Sequence, residues 1–275
     1  MLDGVTVAWQ ASLFGSDAPS FDDRFAGVER LVLGDGAWVD HLPGWLHGAD
    51  EVMDELVRTA PWMSSTRPMY DRIVAVPRLT AWWRWDGDDA PPTPAPAILT
   101  SIRDALSARY DVAFTSCGCN LYRDGDDSVA WHGDRIKKEL VEAHVAIVSV
   151  GEPRKLLLRP ASGGPSVAFK LGHGDLFVMG GTCQRTWQHC VPKCRSAGPR
   201  MSITFRHGLR DQPTGYRSVM AERDPHKEPE NSTVDDWHGQ EVDRMKESAD
   251  RAMEESANAD QAESRFVDET SQPTN

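Results

Sequence analysis

Nine histidines lie in the chain, and two of them occur in identical tripeptides, His132-Gly133-Asp134 and His173-Gly174-Asp175. A His-x-Asp pair on an extended segment puts both side chains on one face, because strand side chains alternate with a period of two. Joined by one distant histidine, such a pair makes a two-His, one-carboxylate triad that leaves three positions of an Fe(II) ion open. The tripeptide alone is weak evidence, as its double occurrence shows, so context has to separate the copies. His173-Gly174-Asp175 sits in a Gly-rich turn and opens the apolar run 176–179, so its aspartate reads as turn chemistry. His132-Gly133-Asp134 is followed 55 residues after Asp134 by His189, in Trp187-Gln188-His189-Cys190-Val191-Pro192-Lys193. Eleven residues after His189 comes Arg200, opening Arg200-Met201-Ser202-Ile203-Thr204-Phe205-Arg206.

The five cysteines suggest no second metal centre. Cys183, Cys190 and Cys194 are close in sequence, but their spacing fits no usual structural zinc site. Cys117 and Cys119 fall on one face of a strand, and all five read as buried free thiols. An odd number of cysteines in 275 residues is no disulfide framework, and a reducing, cytoplasmic setting is expected. No apolar run approaches the roughly 20 residues that span a bilayer, and the opening Met1-Leu2-Asp3-Gly4 lacks the basic and apolar regions of a secretory signal. No membrane association is expected.

The elements that must carry these residues are legible from periodicity. Ala49, Val52, Met53, Leu56 and Val57 mark an amphipathic helix that ends before Pro61. A second helix is expected over 97–108, with Ile98, Ile102, Ala105 and Leu106 on one face, after the Pro-rich linker 91–96. The period then changes to short apolar runs at 145–150, 155–158, 166–171, 175–179 and 201–205, separated by Gly- and Pro-rich turns. Such spacing predicts a β-sandwich or barrel, so the reading is two N-terminal helices on a β-rich core.

Charge is unevenly spread. The net charge of −12 is concentrated in residues 211–275, where 17 acidic and 7 basic residues give −10. That stretch has few large apolar residues and reads as a disordered or solvated tail. Residues 123–210 hold 14 basic and 8 acidic residues, so the overall balance does not argue against a polyanionic partner.

Order and spacing of the motifs make the chain similar to a known family. Asn120-x-Tyr122, His132-x-Asp134, Ser149-Val150-Gly151, Gly174-Asp175-Leu176-x-Val178-Met179, Trp187-x-His189-x-Val191-Pro192-Lys193 and Arg200-x-Ser202-x-Thr204-Phe205-Arg206 resemble the AlkB family of Fe(II)- and 2-oxoglutarate-dependent dioxygenases. The likeness is strong over 111–208 and weak over 37–110, where Val76-Pro77-Arg78 falls at the family's Pro-Arg pair. It implies a mainly β (α+β) fold, a double-stranded β-helix or jelly-roll core with N-terminal supporting helices. The expected division is an N-terminal extension with nucleotide-recognition elements over 1–96, the dioxygenase core over 97–210 and the acidic tail over 211–275. By the resemblance, His132, Asp134 and His189 hold Fe(II). Arg200 meets the distal carboxylate of the cosubstrate 2-oxoglutarate, helped by Asn120 and Tyr122. Arg206 lies near the other carboxylate and Asp134, which gives it a place in catalysis. Planar guanidinium groups match carboxylates with two parallel hydrogen bonds, and two arginines on an apolar strand would be costly to bury without such partners.

The implied reaction uses O2. One oxygen atom converts 2-oxoglutarate to succinate and CO2, and the other hydroxylates a methyl group on a nucleobase nitrogen, which leaves as formaldehyde. The implied partner is alkylated DNA or RNA, with the damaged base flipped from the stack and the protein a monomer. Trp62, Tyr70, Trp82, Trp83 and Trp85 are candidates for an aromatic wall, although at least three of these five are expected in the core. Arg123, Arg135, Lys137, Lys138, Arg154 and Lys155 are candidates for phosphate neutralisation. Two positions depart from the family. Ile136 stands where many members have an acid facing the base's exocyclic amine, and Ser202 where some relatives have Asn beside the cosubstrate. The departure at Ile136 leaves a second reading, an oxygenase of a protein or small-molecule substrate. A jelly-roll binding module without catalysis is disfavoured by the intact triad and both arginines.

Overall fold

Apolar residues at five of the six positions of 145–150 and at all four of 176–179 leave no face for water, and these segments become strands covered on both sides. The computed structural model describes residues 18–64, 66–69, 72–86 and 93–208, without the side chains of 66–69 and 72–75. Tyr70 and the acidic stretch 211–275 lie outside the described residues.

In chain order the elements are β1 (Ser20–Phe21), β2 (Glu29–Gly34), β3 (Ala37–Leu42), β4 (Leu46–His47), α1 (Ala49–Thr59), β5 (Thr66–Met69), β6 (Arg72–Ala75) and β7 (Leu79–Arg84). There follow α2 (Ala97–Tyr110), β8 (Phe114–Tyr122), β9 (Val129–His132), β10 (Val145–Gly151), β11 (Arg154–Pro160), β12 (Val167–Leu171), β13 (Asp175–Gly181), α3 (Cys183–Thr186), β14 (Trp187–Val191) and β15 (Arg200–His207). A seven-stranded sheet, β2-β3-β13-β10-β15-β8-β7, faces a four-stranded sheet, β12-β11-β14-β9. Every pairing in both sheets is antiparallel.

One core lies between the sheets, where Val39, Val145, Ile147, Phe177 and Met179 meet Leu156, Leu158 and Val191. A second core fills the other face of the large sheet, where Val148, Val178, Ile203 and Phe205 meet Val52, Met53 and Leu56 of α1 and Leu99, Ile102 and Leu106 of α2. Alternation divides each strand between the two cores. This is the expected mainly β jelly-roll with helices packed outside it. The large sheet also draws in β2, β3 and β7, which precede the helix α2, so N-terminal strands as well as helices support the core. The buried face of α2 is centred on Leu99 rather than Ile98, which is only partly covered.

α1 follows the predicted period and ends at Ala60, extended at φ −68° and ψ 144° before Pro61. The second His-x-Asp belongs to the scaffold. The Asp175 carboxylate accepts from the amides of Gly172 (2.7 Å) and Gly44 (2.9 Å) and lies 3.1 Å from His41 Nε2. His173 Nδ1 accepts from Gly151 N at 2.8 Å, and its Nε2 is 3.1 Å from Asp50 of α1. Four of the five cysteines are buried free thiols as expected, whereas Cys194, on the loop after β14, is exposed.

Candidate metal and cosubstrate site

β14 pairs with β9 so that His189 stands across from His132, and their rings lie 4.2 Å apart. The antiparallel register, and not sequence distance, makes these two histidines neighbours. β9 ends at His132, and two residues later Asp134 leaves the ladder with its Oδ2 3.9 Å from His189 Nε2. His132 Nδ1 donates to the Ala130 carbonyl at 2.9 Å, which leaves the ring's lone pair on Nε2. Asp134 Oδ1 accepts from Arg206 Nε at 2.8 Å, while Oδ2 is buried with no partner.

The electrostatics suit a cation. Burial pushes the Asp134 carboxyl up, but Arg206 and the two histidines outweigh it and hold the group at about 2. Burial pushes His189 down to about 3, with the charges of His132 and Arg206 adding to it. His132 is also lowered, again by burial first. Two neutral imidazoles and one ionised carboxylate with an unused oxygen are the donor set of an open-faced Fe(II) site, so these residues fit that ion. As they stand, no group of three such donors among the described residues encloses an ion.

Arg200 opens β15 opposite Tyr122 of β8 and is 1% exposed. Its Nε donates to Ser149 Oγ at 3.2 Å and its guanidinium carbon lies 5.2 Å from the Tyr122 ring centre. Nη1 is buried without a partner, and burial pushes the group down to about 10, still protonated at neutral pH. A buried cation with a vacant donor fits a dianion such as 2-oxoglutarate. Asn120 and Ser202 face each other across the β8–β15 pair, with Nδ2 to Oγ at 3.5 Å, and Arg78 Nε donates to Asn120 Oδ1 at 2.9 Å. Arg206 donates to Asp134 and lies 4.8 Å from the Trp82 ring centre. The structure thus brings all the predicted residues of β8, β9, β14 and β15 to the space between the sheets.

The aromatic wall divides by strand face. Trp83 and Trp62 are buried in the helix-side core, and the partly covered Trp85 packs against it, while Trp82, on the opposite face of β7, stands beside Arg206. The basic cluster also divides. Arg154 is buried and donates to the carbonyls of Asp124, Asp127 and Pro192, so it holds loops and faces no phosphate. Arg123 is paired with Asp127 at 2.8 Å. Arg135, Lys137 and Lys138 are exposed on the loop after Asp134. Ile136 is 1% exposed, packed near Leu140 and Gly208.

Two residues in the site carried no motif signal that named their partners. Ser149 lies in the motif Ser149-Val150-Gly151 and is the one polar residue in the apolar run 145–150, but neither mark pointed to Arg200 as its partner. Gln184 accepts from the Asp134 amide at 3.0 Å and is neither titratable nor a metal ligand, so nothing in the sequence singled it out.

Residues 41–206 match the model of the 2OG-Fe(II) oxygenase superfamily. The alpha-ketoglutarate-dependent dioxygenase alkB homolog 3 of Bos taurus is 33% identical over 196 residues, covering 66% of each chain. Its Homo sapiens counterpart is 32% identical over 196 residues, again covering 66% of each. The DNA oxidative demethylase ALKBH2 of Arabidopsis thaliana is 28% identical over 197 residues, covering 56% of this chain and 60% of that one. The likeness thus spans just under two thirds of the length of these relatives. Among solved structures, OsALKBH1 superposes with a TM-score of 0.48 at 16% identity, covering 65% of this chain and 100% of that one.

Proposed function

The chain belongs to the 2OG-Fe(II) oxygenase superfamily and, within it, to the AlkB family, and from that premise we propose that it is an Fe(II)- and 2-oxoglutarate-dependent dioxygenase that oxidatively demethylates N-alkylated nucleobases in DNA or RNA. His132, Asp134 and His189 hold the metal. Arg200, with Asn120, Tyr122 and Ser202, holds 2-oxoglutarate, and Arg206 orients Asp134 and lies beside the reacting centre. When bound, iron and cosubstrate supply the oxidation, which yields succinate, CO2 and formaldehyde. The protein's own contribution is placement. Arg206 keeps the Asp134 carboxylate ionised and aimed, and burial keeps both imidazoles neutral and ready to donate a lone pair.

The observation that carries this reading is Arg200, a buried guanidinium whose Nη1 has no hydrogen-bond partner among the described residues. Relatives named for DNA oxidative demethylation support nucleic acid as the substrate class, and a duplex substrate has to present its base flipped from the stack. Arg135, Lys137 and Lys138 support phosphate contact next to Asp134. A reducing, cytoplasmic setting is supported by five free cysteines, and the proposed unit is a monomer. No helix among the described residues is long and apolar enough to cross a membrane, and no membrane contact is proposed. Ile136 favours one alternative: an apolar, sealed side chain at the family's acidic position fits an oxygenase of a protein or small molecule.

The deciding experiment incubates the protein with Fe(II), ascorbate, 2-oxoglutarate and oligonucleotides carrying 1-methyladenine, 3-methylcytosine or ethenoadenine. Mass spectrometry follows each base, and succinate is measured in the same tube. Adduct loss that needs 2-oxoglutarate and vanishes in Asp134→Asn is the expected result. Succinate with unchanged oligonucleotides moves the substrate to the alternative, and neither product overturns the enzyme.

A further inference from the structure

Asp134 has two handles, and only one of them belongs to the carboxylate. Arg206 grips Oδ1 at 2.8 Å. Because β9 ends at His132, the Asp134 amide has lost its sheet partner, and a part-buried N–H must find another acceptor. It donates to Gln184 Oε1 at 3.0 Å, across 50 residues of sequence. The facing atom must be the oxygen, since an amide N–H can only donate, and the Gln184 nitrogen then meets Met179 Sδ at 3.7 Å. Gln184 is 7% exposed, so packing holds the side chain in this position.

The segment that carries Gln184 is itself fastened. Thr182 donates its amide to Gly36 O at 3.3 Å and its hydroxyl to Asp35 O at 2.6 Å, tying the start of α3 to the β2–β3 turn. Arg185, the next residue, donates to Leu140 O at 3.0 Å and to Lys137 O. Gly181 O accepts from Ala143 N at 3.0 Å. The loop of residues 133–144, which joins β9 to β10 and carries Asp134, is therefore held against α3 at its start and middle and against the last residue of β13 at its end.

We propose that Gln184 is a positioning residue for the metal ligand Asp134, fixing the ligand's backbone while Arg206 fixes its carboxylate. This rests on the metal-site reading above. One hydrogen bond at Oδ1 leaves the side chain free to swing about its own bonds. Anchoring the backbone as well leaves the unpartnered Oδ2 a single place to be. A neutral amide does this without adding a second negative charge beside the ion. Outer partners of metal ligands typically contribute about 10- to 100-fold in metal affinity, and misplacement of a reacting group by about 1 Å costs on the order of a hundredfold in rate.

The test uses the full chain and Mn(II) as a redox-stable probe, with binding followed by electron paramagnetic resonance. Gln184→Met keeps the shape and removes the oxygen; its Mn(II) dissociation constant is expected to rise about 10- to 100-fold, while the 2-oxoglutarate KM stays within about threefold. Gln184→Glu restores an acceptor and is expected to bind Mn(II) within about threefold of the parent. Amide exchange at Asp134, read by NMR, should quicken in the Met variant and not in the Glu variant. If Gln184→Met does not fold, Gln184→Asn, one methylene too short to reach, takes its place in the same measurements. Parental Mn(II) affinity in the Met or Asn variant overturns the assignment, as does an equal loss in Met and Glu. A parent that binds no Mn(II), or binds it equally well after Asp134→Asn, overturns the metal-site reading and this proposal with it.

Discussion

Asp134 shows how much one side chain is asked to do in this site. It is the proposed ligand, the partner of Arg206 and the charge that balances that arginine, so different substitutions separate the roles. Asp134→Asn keeps an oxygen for Arg206 and should fold, yet lose turnover below detection and Mn(II) binding by at least about a hundredfold. Asp134→Ala leaves Arg206 buried and unpaired, which should cost about 3–5 kcal/mol of stability in addition, seen as a lower denaturant midpoint. Arg200 gives the reverse pattern. Its guanidinium is buried with Nη1 unpartnered among the described residues, so Arg200→Met should leave the protein without added 2-oxoglutarate as stable or more so. The 2-oxoglutarate KM should rise by about a hundredfold or more, in line with about 3 kcal/mol for a lost buried charge pair. An unchanged KM would remove Arg200 from the cosubstrate site. Ile136→Glu offers no route back to the family's acid, because the position is sealed; the expected outcome is a fall in stability with no gain on 1-methyladenine.

At the level of elements, the β8–β15 pair is the plate on which the site is mounted. Its register sets Tyr122 against Arg200, Asn120 against Ser202 and Gly118 against Thr204. Gly118 is needed there for space: a Cβ would lie 3.0 Å from Arg206 Nη1 and 3.1 Å from the Trp82 ring. Gly118→Ala should therefore shift Arg206 against Asp134 and lower turnover on the order of tenfold to a hundredfold, with only a small change in melting temperature. The helices act differently. Leu106 of α2 is fully buried in the core outside the large sheet, so Leu106→Ala should cost about 2–5 kcal/mol and leave the 2-oxoglutarate KM of the folded fraction unchanged. A KM that moved with it would mean that α2 reaches the site.

For the whole molecule, buried histidines couple stability to pH. His189 is pushed from 6.5 to about 3 and His144 from 6.5 to about 4, in both cases by burial first and a neighbouring histidine second. Below 6.5 the unfolded chain takes up protons at these positions that the folded chain refuses, so acid favours unfolding. Asp134, held at about 2 against an ordinary 3.8, adds a loss that begins below 3.8 and is complete once the pH has passed 2. The metal-free protein should therefore hold a steady urea midpoint above pH 6.5, as far as these groups are concerned, and lose it progressively from there to pH 4. A midpoint constant from pH 7.5 to 5 would contradict buried neutral histidines.

The sequence by itself determined whatever depends on local period and residue type. His132 and Asp134 in one short segment, Arg200, Ser202 and Arg206 alternating along one strand, the α1 face and the run of short strands are all encoded within a dozen residues of themselves. The tertiary structure decided what depends on partners from elsewhere in the chain. It turned Arg154 inward onto three carbonyls, set Trp82 beside the site and Trp83 away from it, enlisted N-terminal strands in the large sheet and brought Gln184 to the Asp134 amide. The physical reason is that a periodic pattern fixes which way a side chain faces, while strand register and loop closure fix what it meets there. Register is set by pairing between segments that are distant in sequence.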